Sequence, residues 1–300
     1  FGKTAVSDPL HADVQVPQSI RRQRVPVEPF GTKVLLSRTD LLESSLVNQV
    51  ARWTGILRSL VIYYGIPFRA RRLERFYASF VTPGSLCFDI GAHAGNRIRC
   101  WRRLGARVVA VEPQPDFAAI LRMLYGRDSG VSLLEAAVGN SPGTGRMLIS
   151  PRTPTVTTLS RQWAQQVARS PAFRGVSWSA GQEVAVTTLQ TLIDRYGMPR
   201  FIKLDIEGSE AAALEGLSCS VAAVSFEYLP AARDTAIECI ERLSSLAIYQ
   251  YNWSVGESHR LGSATWLDAA AIREFLLELP QDAASGDIYA RLVADGSGAL

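Results

Sequence analysis

Residues 86–113 restrict the fold more than any other stretch. Leu86-Cys87-Phe88-Asp89-Ile90 is an apolar run holding one acid, the pattern of a strand buried on both faces. Gly91-Ala92-His93-Ala94-Gly95 follows, and small residues there let a ligand approach the backbone closely. Residues 96–104 read as a helix, and Arg107–Val111 reads as a second strand that runs into Glu112-Pro113. A strand, a helical crossover and another strand make a parallel pair. Ligands of such sheets sit beyond the carboxyl ends of the strands. The glycine-bounded turn and Glu112 therefore belong to one crevice.

The alternation continues. Phe117–Tyr125 reads as a helix, Val131–Ala137 as strand three and Phe201–Asp205 as strand four, followed by a helix over Ser209–Leu217. Val221–Phe226 is the fifth strand and Ala231–Leu246 its helix. Ile248–Trp253 and Ile288–Val293 complete seven strands. This order predicts an α/β, Rossmann-like fold: a mostly parallel seven-stranded sheet flanked by helices. Ahead of it, residues 1–37 are interrupted by Pro9, Pro17, Pro26 and Pro29, and Asp40–Phe80 has helical periodicity. The expected division is an N-terminal arm and helical extension over 1–80 and a catalytic domain over 81–300. Residues 139–184 include Pro142, Gly143, Pro151, Pro154 and Pro171, with a helical patch at Leu159–Ala168. So long a connection is unusual. It reads either as a substrate lid or as surface decoration.

The charge balance is +4, from 32 basic and 28 acidic residues, too small to indicate a nucleic-acid partner. The basic run Arg69–Arg75 contains Glu74 and reads as a solvated helix face. The longest apolar stretch, Gly55–Gly65, includes Arg58 and falls short of the roughly 18 residues that span a bilayer. Cys87, Cys100, Cys219 and Cys239 form no CxxC pair, so free thiols in a reducing compartment, the cytoplasm, are expected.

The acids define candidate chemistry. Glu112, 23 residues after Asp89, suits a carboxylate that accepts hydrogen bonds from ribose hydroxyls. The dinucleotide fingerprint G-x-G-x-x-G is absent, because His93 lies between Gly91 and Gly95. An acid at the head of the turn also suits a cationic sulfonium or amino group better than a pyrophosphate. Glu135 and Ala136, at the end of strand three, would border an adenine ring, although such small residues also admit a close helix. Asp205 ends strand four, with Glu207 and Glu210 after it, and Glu227 holds the matching place on strand five. Acids at a helix start are also favourable for structural reasons, which applies most to Glu210. Ser209 reads as the cap of that helix. Lys203 would share a strand face with Asp205. Asp205, Glu227, His93 and His259 are the candidate catalytic residues, the histidines with equally good structural readings. Tyr228 and Trp253 read as an apolar wall or as core. No metal-ligand spacing is present.

Several blocks carry a resemblance: Phe88-Asp89-Ile90-Gly91-Ala92-His93-Ala94-Gly95, Val111-Glu112-Pro113, Ala136-Ala137-Val138-Gly139 and Thr187-Thr188-Leu189. The most specific block runs from Ile202-Lys203-Leu204-Asp205-Ile206-Glu207-Gly208-Ser209-Glu210 to Gly216, and Phe226-Glu227 follows. Across residues 65–253 the chain resembles the FkbM-type family of S-adenosylmethionine-dependent methyltransferases. The resemblance implies a class I methyltransferase fold and S-adenosyl-L-methionine as cofactor. It also implies O-methylation of a small molecule, sugar or glycan in natural-product or glycan biosynthesis. Association into a homo-oligomer is a separate expectation. The resemblance further implies that Asp89 and Gly91 border the methionine part, Glu112 the ribose and Asp205 the reacting end, with His93, Gly95, Pro113, Glu135 and Ala136 completing the cofactor site. His93 stands where the family most often has asparagine. The alternatives are a nicotinamide-dependent oxidoreductase and a non-catalytic module of the same fold.

Overall fold

The computed structural model describes residues 69–150 and 153–293. The expected arm and the helical extension up to residue 68 lie outside the described residues. The first element is helix α1 (Arg69–Tyr77), amphipathic as expected, with Leu73 and Tyr77 buried and Arg71, Arg72 and Arg75 exposed. Alternation then builds β1 (Leu86–Ile90), α2 (Asn96–Arg103), β2 (Arg107–Val111), α3 (Pro115–Tyr125) and β3 (Val131–Leu134). Past the excursion come α5 (Leu189–Tyr196), β7 (Phe201–Leu204), α6 (Glu210–Glu215), β8 (Ala223–Tyr228) and α7 (Arg233–Leu246). The described chain closes with β9 (Tyr249–Val255), α8 (Ala269–Glu278) and β10 (Gly286–Leu292).

The main sheet has seven strands in the order β3-β2-β1-β7-β8-β10-β9. β10 alone runs antiparallel to its neighbours β8 and β9. The strand order reverses between β1 and β7, and the crevice of such a sheet opens at that point. This is the α/β fold expected from the alternation.

Strand pleating divides the core. Phe88, Ile90, Ile202, Leu204, Val224 and Phe226 pack with α5 to α8. Cys87, Phe201 and Tyr289 point the other way, beneath Leu73 and Tyr77 of α1 and Ile98 and Trp101 of α2. Asp89, Lys203, Ser225 and Tyr289 are successive register partners across β1, β7, β8 and β10. All four are buried, so a polar row crosses an otherwise apolar face. The cysteines are free, as expected, and burial pushes Cys87 and Cys100 up to about 12. Among the described residues no helix is long and apolar enough to cross a membrane.

The third expected strand is corrected. The main sheet keeps only Val131–Leu134, and after Glu135-Ala136 the chain joins a separate three-stranded sheet through β4 (Ala137–Val138). That sheet orders the excursion: β4 pairs with β6 (Ser179–Thr187), which pairs antiparallel with β5 (Gly143–Ile149). Residues 139–184 therefore contribute two paired strands to this sheet, with α4 (Arg161–Val167) on the connection between them. Gly145 and Gly181 obscured the strand pattern. A Cβ at Gly181 would lie 2.6 Å from the Met147 carbonyl oxygen, and one at Gly145 would lie 3.0 Å from Val186. Helix α8, capped by Asp268 through a 2.8 Å bond from the Ala271 amide, was also not foreseen.

Candidate active site

The turn after β1 is fixed by its neighbours. Gly91 and Ala92 donate amide hydrogen bonds to the Val111 carbonyl, at 2.9 and 3.1 Å. Gly91 has φ +81°, and a Cβ there would lie 2.0 Å from the Asp205 carbonyl oxygen. The ends of β1 and β7 thus approach as closely as glycine permits. Gly95 has φ +79° at the start of α2, and its carbonyl accepts the Tyr125 hydroxyl at 2.9 Å.

Glu112 closes this side. Its two carboxylate oxygens accept the amides of His93 at 2.8 Å and Gln114 at 2.9 Å. Burial raises its pKa to about 7, against the pull of those two bonds. His93 has φ +46°, and its ring lies 3.8 Å from that of Phe117 between centroids. Burial lowers the imidazole to about 4, so it is neutral near pH 7. Asp89 is fully buried, and neither carboxylate oxygen has a hydrogen-bond partner among the described residues. Burial moves it up to about 6, with Arg97 opposing the shift.

Arg97, in the first turn of α2, is 8% exposed and reaches Asp205 at 2.9 Å. The Tyr77 hydroxyl lies beside it. Lys203 is fully buried and approaches Asp205 at 3.8 Å, which realises the shared face expected for that pair. Beyond β7, Glu207 and Gly208 are left-handed, at φ +53° and +88°. Glu210 fastens this bend, its carboxylate accepting the amides of Ile206 at 3.0 Å and Gly208 at 2.9 Å. That is the structural role expected of Glu210. The Ser209 hydroxyl, expected to cap α6, makes no capping bond, because Glu210 already takes the loop amides.

Glu227, on β8, completes an acidic group. One oxygen from each of Asp205, Glu207 and Glu227 lies within 4.8 Å of the others, although their spacing in the chain resembles no metal motif. Burial raises Glu207 and Glu227 well above the ordinary carboxylate range, and their neighbouring acids add to the rise. Neither side chain accepts a hydrogen bond from the described residues, whereas Asp205 is matched by Arg97 and Lys203.

These elements surround a cleft that opens to solvent at the carboxyl ends of β1, β2 and β7. Gly91, His93, Glu112, Pro113, Ala136 and Asp205 all line it, so the fold unites most of the expected site. Asp89, Gly95 and Glu227 are not part of its lining, Glu227 reaching it only through its neighbours Asp205 and Glu207, and two further expected residues stand away from it. Glu135 leaves the lining and pairs with Arg122 on the outer side of β3. His259 packs against Phe76, with Glu257 3.3 Å from its Nε2, and does not line the cleft. Trp253 stacks on Phe275 at 4.2 Å and Tyr228 is buried, so both are core.

Sequence reasoning missed Arg97, the position of Glu207 and which residues of the excursion reach the cleft. Thr155, Thr157, Thr158 and Leu159 line the cleft. The Thr158 hydroxyl donates to the Glu207 carbonyl at 2.6 Å, and Trp163 occupies the space a Cβ on Gly208 would need. Nothing in the spacing of these residues signals an approach across 49 positions.

Comparison with known proteins adds independent findings. The family model described as the methyltransferase FkbM domain matches residues 89–279. No curated protein matches the chain. Among solved structures it is similar to the O-methyltransferase from Bacillus cereus in complex with SAH, at 13% identity and TM-score 0.41, covering 87% of this chain and 94% of that one. It is also similar to a putative O-methyltransferase from Klebsiella pneumoniae, at 12% identity and TM-score 0.40, covering 85% and 96%. A third is the precorrin-6y C5,15-methyltransferase from Geobacter metallireducens, at 13% identity and TM-score 0.39, covering 75% and 86%. With the family match extending from Asp89 of the β1 turn through Glu112, Asp205 and Glu227 to the end of α8, the chain belongs to the FkbM family of S-adenosylmethionine-dependent methyltransferases.

Proposed function

We propose that the enzyme methylates oxygen, on a hydroxyl of a small molecule, sugar or glycan, with Glu227 as the proton acceptor and Glu207 beside it. The unequal treatment of the three carboxylates carries this reading. Asp205 is matched by two cations, and Glu207 and Glu227 by none. A carboxylate whose proton affinity is raised is better suited to accept a hydroxyl proton near neutral pH. His93 is the weaker candidate, because burial lowers it to about 4. Membership of a methyltransferase family sets aside the nicotinamide-dependent and non-catalytic alternatives.

The cleft fits the cofactor. The glycine-bounded turn leaves no room for a side chain at Gly91, and the unpartnered, buried Asp89 carboxylate suits a cationic amino-acid end. Glu112 retains lone pairs for ribose hydroxyls, and Ala136 with Pro113 offers flat apolar surface. Bound S-adenosylmethionine supplies a methyl group already activated by its sulfonium. The remaining work falls to the protein: Asp205 with Arg97 shapes the reacting end, Glu227 takes the proton, and the Thr155–Leu159 strap shields the cleft from water, as a lid does.

Incubation with S-adenosylmethionine and a panel of monosaccharides, oligosaccharides and hydroxylated aromatic compounds tests the reading. Mass spectrometry should place the methyl group on oxygen. Glu227→Gln should lower kcat by about 10²–10⁴-fold and leave S-adenosylhomocysteine affinity unchanged. Transfer only to nitrogen or carbon, or full turnover in Glu227→Gln, refutes it.

A further inference from the structure

Behind the cleft lies an ion pair, its lysine fully buried and its aspartate half-buried, that the proposed chemistry does not use. Lys203 has no exposed surface, and its ammonium donates to Asp287 Oδ1 at 2.8 Å and to the Leu204 carbonyl at 2.9 Å. Burial would lower its pKa, but Asp205 and Asp287 outweigh burial and hold it above the ordinary lysine value. The other oxygen of Asp287 accepts the Tyr289 hydroxyl at 3.1 Å. Burying two charges costs several kcal/mol per ion before their attraction repays it, and a well-packed apolar pair is often as stable. Stability alone is therefore a weak reason for this pair, and its position suggests a better one.

Asp287 is the register partner of Glu227 across β10 and β8. Lys203 is the partner of Ser225, two residues before Glu227 and on the same side of β8. Glu227 thus has Asp287 on one flanking strand and Lys203 with Asp205 on the other. We propose that Lys203 and Asp287 are positioning residues that set, through charge, how readily Glu227 takes a proton. This rests on the reading of Glu227 as proton acceptor. The charged groups around Glu227 are Lys203, Asp205 and Glu207 from β7 and its loop, Glu210 from α6 and Asp287 from β10, with Arg97 of α2 acting through Asp205. Lys203 is the cation among them that opposes protonation of Glu227, and Asp287 favours protonation.

The two partners therefore have opposite effects. Loss of the lysine charge raises the proton affinity of the Glu207–Glu227 pair, and loss of the Asp287 charge lowers it. The test is a pH titration of glutamate side-chain carboxyl signals by carbon-13 NMR in cofactor-free protein, with signals assigned through Glu207→Gln and Glu227→Gln. Lys203→Met should move the midpoint up and Asp287→Asn should move it down, each by about one pH unit. Lys203→Met leaves the half-buried Asp287 without its partner and risks misfolding. Asp287→Asn keeps an acceptor for the ammonium, and Lys203→Met/Asp287→Leu removes both charges and should return the midpoint towards wild type. Shifts in one direction for both single variants, or none in Asp287→Asn, overturn the inference. Opposite shifts with full turnover in Glu227→Gln would uphold the tuning and overturn only the base assignment.

Discussion

Gly91→Ala and Gly84→Ala form a matched pair of perturbations. Both glycines have φ +81°. A left-handed backbone costs an alanine about 1–2 kcal/mol, so both variants carry that term. They differ in what the new methyl group meets. At Gly84 nothing lies within 4 Å, whereas at Gly91 the Asp205 carbonyl oxygen is 2.0 Å away, about 1 Å closer than side chains tolerate. Relief requires the ends of β1 and β7 to separate, which adds about 1–3 kcal/mol of overpacking. Urea denaturation should therefore show a loss of about 1–2 kcal/mol for Gly84→Ala and about 2–5 kcal/mol for Gly91→Ala. In thermal melts each kcal/mol should appear as about 2–4 °C. Calorimetry with S-adenosylhomocysteine supplies the second readout. Separated strand ends displace Asp89 and Asp205, so Gly91→Ala should lose about tenfold or more in affinity, equivalent to 1.4 kcal/mol, and Gly84→Ala should retain it. Equal destabilisation by the two variants, or unchanged binding in Gly91→Ala, would refute the close approach of the strand ends as the basis of the site.

Glu112→Ala should weaken S-adenosylhomocysteine binding by about 10–150-fold, the worth of hydrogen bonds to a charged acceptor, as measured by calorimetry. Glu112 also gives the cofactor-free protein a pH dependence. Its folded pKa, raised from 4.5 to about 7, gives a stability contribution that is complete below the lower value and lost as pH rises through the upper one. Urea denaturation at pH 5 and pH 8 should accordingly show a smaller drop in Glu112→Gln than in wild type, and equal drops would contradict the assignment. Thr158→Val removes the bond that holds the Glu207 bend and should cost about 1 kcal/mol of stability, with a fall in kcat larger than the population of unfolded protein explains. Turnover should survive extensive chelation by EDTA, and loss that magnesium restores would instead place a cation among Asp205, Glu207 and Glu227.

The strands at the centre of the sheet were readable because burial on both faces leaves uninterrupted apolar runs, as in Leu86–Ile90 and Phe201–Leu204. Asp89, Glu112 and Asp205 were readable for a related reason: an acid inside or at the tip of such a run has few structural uses. The break after Leu134 was not, because no Pro or Gly marks it. It depends on Arg122 engaging Glu135 and on pairing of Ala137 with Val186, both set by tertiary packing. Arg97 reads as one of several helix-surface arginines. Only the packing of α1 over α2, with Tyr77 and Asp205 beside it, turns it inward. Lys203 was legible through strand alternation alone, but its partner Asp287 lies 84 positions away.

The position of β10 has a consequence for how the protein is made. It is the last described strand, yet it lies between β8 and β9. During synthesis those two strands emerge with no partner between them, their open edges able to capture strands from other nascent chains. Only when β10 slides into the gap does Lys203 gain Asp287 beside Asp205. Activity should therefore appear late and all at once in refolding, and clipping the connection between β9 and α8 should silence a site whose cofactor-side residues are all still present.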